Sequence, residues 1–121
     1  MELSKDNLNL LKVFVQHCCD ELGLVGEVNI MLETKPQEEP TAGHFNPNDR
    51  TVHVTVKNRA IADCFRTIAH ELTHMKQMQD GVDFPTDDEG LQPLEDESNQ
   101  TSGRLVRFFG RKYREIYSDL K

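Results

Sequence analysis

The chain lacks the features that mark several common protein classes. No apolar run approaches the about 20 residues of a membrane span, and the start MELSKDNLNLLK has neither the basic opening nor the long apolar stretch of a secretory signal. The expected location is therefore a cytoplasm, that of a host cell if the chain is of phage origin. Cysteine is scarce: Cys18, Cys19 and Cys64 form an odd set without a CxxC pair. They are expected to be buried, reduced thiols rather than bridges, zinc ligands or nucleophiles. Basic residues are also in deficit, 14 against 21 acids, and the net charge of −7 argues against a general nucleic-acid-binding surface. No internal repeat or low-complexity tract is present.

What is there fits one soluble domain spanning residues 1–121, with 36% hydrophobic and 29% charged residues. Ser4 is placed to cap a helix over 5–22 that Gly23 closes. Residues 28–34 (VNIMLET) read as a strand, followed by the polar link KPQEEPT. AGHF, the turn NPND and RTVHVTV then read as a hairpin, with Val52, Val54 and Val56 on one face. Asn58 is expected to cap a second helix running to about Asp80, with Gly81 just beyond it. Residues 81–93 read as a loop, and a last helix over 94–118 starts on Pro93. Its expected core stripe is Leu94, Ser98, Thr101, Leu105, Phe108, Phe109 and Ile116. The fold class is thus α+β, with a small antiparallel sheet between the first helix and the other two.

The second helix contains His70-Glu71-Leu72-Thr73-His74, an HExxH sequence. Positions four apart on a helix share a face, so both imidazoles can point at one ion, and Glu71 leans toward a water bound there. The apolar stripe of this helix, Ile61, Phe65, Ile68, Leu72, Met75 and Gln79, lies on the other side. His70 and His74 share their side with Asp63 and Thr67, which could orient His70. Neutral imidazoles beside a carboxylate suit a zinc ion, the expected cofactor.

Catalytic zinc needs a third protein ligand. The candidates are a further histidine (His17, His44 or His53) or a carboxylate of Glu95-Asp96-Glu97-Ser98-Asn99. No histidine follows His74, which excludes the metzincin form HExxHxxGxxH. The combination of His70-Glu71-xx-His74 with Glu95-x-Glu97-Ser98-Asn99 resembles the gluzincins, zincin-like metallopeptidases in which HExxH precedes a glutamate-bearing helix. The size and element order resemble minimal gluzincins and small phage or bacterial HExxH proteins. The resemblance implies Glu95 as third ligand, with Glu97 as the alternative, and Asn99 as a group beside a ligand histidine. It covers about residues 41–110. Ser98 in place of a small alanine, read as a minor change, and Asn99 in place of aspartate are departures from the pattern.

The expected function is zinc-dependent peptide hydrolysis by a zinc-bound water with Glu71 as general base. The partner is then a peptide or protein substrate, expected to add as a strand along RTVHVTV if that strand is an edge. His44, His53, Tyr113 and Tyr117 are candidate donors to the developing oxyanion. Two alternatives stand beside this reading. One is a metal-binding regulatory or interaction module with little activity. The other is a nucleic-acid-associated peptidase resembling SprT-like proteins, recruited through Arg104, Arg107, Arg111, Lys112 and Arg114. That basic cluster also complements the helix dipole, because 77–103 contains no Lys or Arg.

Overall fold

A computed structural model describes residues 1–34 and 42–120. The link KPQEEPT lies outside these residues. The element order is α1 (Lys5–Leu22), β1 (Asn29–Glu33), β2 (Gly43–Asn46), β3 (Thr51–Thr55), α2 (Ile61–Gln79), α3 (Asp88–Lys112) and a 3-10 turn (Arg114–Tyr117). The class is α+β. Among the described residues no helix is long and apolar enough to cross a membrane.

The ends of α1 follow from local chemistry. The Ser4 side chain accepts from the Asn7 N–H at 3.1 Å, and Gly23 turns left-handed at φ 70° to close the helix. Leu11, Phe14 and Cys18 form its buried face. Phe14 stacks on Phe65 of α2 at 4.6 Å and meets Phe109 of α3 edge-on at 5.0 Å. One aromatic cluster thereby joins all three helices. Phe65 is fully buried there. Phe65→Ala should cost about 3–5 kcal/mol of stability, read from the midpoint of urea unfolding. Burial also pushes the Cys18, Cys19 and Cys64 thiols up, and all three cysteines are free. Cys18 and Cys64 are fully buried, as expected, and Cys19 is half-buried.

The sheet corrects the expected antiparallel arrangement. Its order is β1-β3-β2; β2 pairs antiparallel with β3 through the Pro47–Arg50 turn, but β1 pairs parallel with β3. Alternation of valines predicts which side chains enter the core and says nothing of strand direction. Val52, Val54 and Val56 are buried as expected. RTVHVTV is therefore the central strand, and no substrate can add along it. Among the described residues β1 and β2 are the edge strands, and β2 is the one packed beside α2.

Helix boundaries differ as well. Asn58 adopts φ 59° and does not cap α2; the N-cap is Ala60, and the Asp119 carboxylate accepts from the Ile61 N–H at 3.0 and 3.2 Å. A capping group from the far end of the chain is invisible to a local reading. The last helix begins at Asp88, where the Asp87 side chain accepts from the Gly90 N–H, so Pro93 sits inside it. It stops at Lys112 because the chain bends at Tyr113 into the 3-10 turn. Tyr117 packs so closely on Gly110 that a Cβ there would lie 2.5 Å from its hydroxyl. The bend drops Ile116 into the core. Phe108, expected in the stripe, is 50% exposed, and Ser102 and Val106 are buried instead. Gln79, expected on the stripe of α2, is exposed and tied to Gly23 and Val25.

Candidate metal centre

The two histidines of α2 converge as one-turn neighbours. His70 Nε2 and His74 Nε2 are 3.1 Å apart. Glu95, in the second turn of α3, reaches between them with Oε2 3.1 Å from His70 and Oε1 2.8 Å from His74. The ligand atoms of the three residues all lie within 4.8 Å of one another. Of the described residues, no other His, Cys, Asp or Glu group of three or more is so arranged.

The donor set fits a tetrahedral ion. Ligands held at about 2.0–2.1 Å in tetrahedral geometry stand about 3.3 Å apart, close to the spacings seen. The protonation pattern fits too. The Gln77 amide nitrogen donates to the Leu94 carbonyl and to Glu97 Oε1, both at 3.1 Å. Its oxygen is thus turned to accept from His74 Nδ1 at 2.8 Å. A proton fixed on Nδ1 leaves the Nε2 lone pair facing His70 and Glu95. Lone pairs and a carboxylate converging on one point repel unless a cation joins them.

Burial and neighbouring charge tune these groups. His70 is held below the usual histidine range, chiefly by burial and then by His74, while Glu95 and a hydrogen bond to Asn99 act the other way. Glu71 is pushed up, chiefly by burial; Glu95 adds to this and His74 opposes it. A carboxylate of raised pKa is a stronger proton acceptor.

The structure sorts the sequence candidates. His70, His74, Glu71 and Glu95 come together, and Asn99 stands beside His70. Glu97 does not join them; it accepts from Gln77. Among the other histidines, His17 packs on Phe109, and His44 stacks on His53, whose Nδ1 lies 2.8 Å from Glu33. Neither Asp63 nor Thr67 orients His70. Both are bonded to Arg59, which also donates to the Thr55 carbonyl. His44, His53, Tyr113 and Tyr117 are absent from the lining of the cleft at the histidines, so none is placed as an oxyanion donor. The basic residues of α3 are exposed and also lie outside that lining.

The cleft has a volume of 360 Å³ and is walled by Ala42 and by Gly43 at the start of β2 on one side and by Asn99 and Ser102 of α3 on the other. Gly43 permits the close packing of β2 on α2: a Cβ there would lie 2.6 Å from Thr67 Cγ2 and 2.9 Å from the His53 carbonyl. A larger cavity of 940 Å³ lies at the start of α2 around Lys57, Asn58 and Asp119, away from the histidines.

Two contributors were not legible in the motif. Gln77 lies three residues after His74, hence on its face of the helix, and only this spacing could have flagged it. Ser98, expected to be a minor change, is fully buried with Oγ 3.1 Å from His74 Nδ1. Gln77→Met should weaken zinc binding by about 10–100-fold, because His74 loses the acceptor that sets its tautomer. Competition against a chelator of known affinity measures this. No protein-family model, curated protein or solved structure matches the chain.

Proposed function

We propose that this chain is a zinc-dependent peptidase with a minimal zincin-like fold of the gluzincin type. The observation that carries the reading is the meeting of Glu95, from a separate helix, with both Nε2 atoms of the HExxH histidines. Glu71 on the adjoining position lines the same cleft. His70, His74 and Glu95 would hold the ion, and Gln77, Ser98 and Asn99 would orient the imidazoles. Zinc supplies a Lewis acid that brings the pKa of a water to about 7 and polarises a carbonyl.

The remaining chemistry belongs to the chain. Glu71 accepts the proton of the attacking water and delivers it to the leaving amine nitrogen. Its burial keeps that carboxylate poorly solvated and so more basic. Among the described residues β2 is an edge strand, and Gly43 at its start lines the cleft, where an extended peptide can be held by main-chain hydrogen bonds. This replaces the expected docking on RTVHVTV.

Metal analysis of the purified wild type tests the reading, combined with mass-spectrometric detection of fragments from a randomised peptide mixture. One zinc per chain and new peptide termini are expected, both lost on treatment with chelator and restored by zinc. A chain that neither carries nor takes up zinc would overturn the proposal.

A further inference from the structure

The cleft contains a cation that the chemistry above leaves unused. Arg66 lies four residues before His70, so it projects from the same face of α2, about 6 Å nearer the start of the helix. It lines the cleft together with His70, Glu71, Glu95 and Asn99. Its guanidinium lies along α3 where Gly103 keeps the surface low; a Cβ on Gly103 would stand 3.8 Å from Nη2. Among the described residues Arg66 makes no ion pair, whereas two of the acids that line the cleft with it are committed, and the third, Glu71, is the general base of the proposed reaction. Asp63 pairs with Arg59 at 2.9 Å, and Glu95 is held between the two imidazoles.

In a chain with 21 acids and 14 bases, an exposed arginine on the wall of an acid-lined cleft, without an ion-pair partner among the described residues, can offer its planar fork to an incoming anion. The geometry points to Arg66 as the anchor for a carboxylate of the peptide substrate, carried by an Asp or Glu side chain or by the substrate's C-terminus. The inference rests on the peptidase reading and names the substrate class of that same site. An extended peptide advances about 3.3–3.6 Å per residue. A carboxylate at Arg66 therefore belongs within about two residues of a carbonyl presented to His70, His74 and Glu95.

The test uses binding, so that it does not depend on turnover. Zinc-loaded Glu71→Gln protein and the Glu71→Gln/Arg66→Gln double variant are immobilised. Each is offered an N-acetylated randomised hexapeptide library, in C-terminal acid and C-terminal amide forms. Zinc content and circular dichroism are recorded for both proteins, and retained peptides are sequenced by mass spectrometry. Retention of acid-bearing peptides over their neutral counterparts by on the order of 10–100-fold is expected on the single variant, and its loss on the double variant. Enrichment of Asp or Glu in the amide library identifies a side-chain carboxylate. Preference confined to the free-acid library identifies the C-terminus. Equal retention of acidic and neutral peptides, or acid preference that survives Arg66→Gln, overturns the inference. Wild-type cleavage without acid preference removes the carboxylate anchor alone. Arg66-dependent acid retention by a protein that cuts no peptide removes the hydrolase reading alone.

Discussion

Glu71→Gln should lower peptide hydrolysis by about 10²–10⁴-fold while zinc stays at one per chain. Glutamine keeps the size and the hydrogen-bonding oxygen of the side chain but cannot take a proton from water. Glu71 is not among the three residues grouped as candidate ligands, His70, His74 and Glu95. Metal retention and proton transfer should therefore separate cleanly in this variant. The same substitution decides between a hydrolase and a metal-bearing interaction module: an interaction module keeps its biological role with glutamine at 71. Cleavage rate and zinc content measured on one preparation give both readouts. A variant that cuts peptides at the wild-type rate would remove Glu71 from the mechanism.

Glu95→Ala should abolish stoichiometric zinc, a larger loss than the 10–100-fold typical of an orienting group. Two imidazoles on one helix turn would remain, and they leave a tetrahedral ion with too few protein ligands. Glu97→Ala should behave differently. Glu97 accepts from the Gln77 amide, and the Leu94 carbonyl continues to hold that amide after the substitution. Zinc should stay stoichiometric at saturation, with a weaker affinity seen by chelator competition. The reverse result, zinc kept in Glu95→Ala and lost in Glu97→Ala, would exchange the two roles.

The gap between these two acids illustrates what a sequence can and cannot show. Helical periodicity places Glu95 and Glu97 on different sides of α3, yet it does not say which side faces α2. The packing of Ser98, Ser102, Leu105 and Phe109 against α2 and α1 decides that. Ser98, placed on the expected core stripe by its spacing, is fully buried, and so is Ser102, which that stripe left out. Phe108 reads as core by type and is half exposed, because Phe109 takes the place in the aromatic cluster. In the sheet, the Val52-Val54-Val56 alternation fixes the buried face correctly. The central position of β3 depends on β1 joining it from a distant part of the chain. The cap on α2 is supplied by Asp119, 58 residues from the N–H it accepts from.

The sequence by itself determined the elements whose causes are local. Ser4 and Gly23 bound α1, the NPND turn closes the hairpin, and the i, i+4 spacing aims His70 and His74 at one point. Each follows from backbone geometry within a few residues. Only the tertiary structure decided that Glu95 meets those histidines, that Gln77 bonds to one of them, that β2 rather than β3 borders the cleft, and that Arg66 makes no ion pair there among the described residues. These depend on contacts between segments far apart in the chain, selected by how the apolar faces of three helices and a sheet fit together.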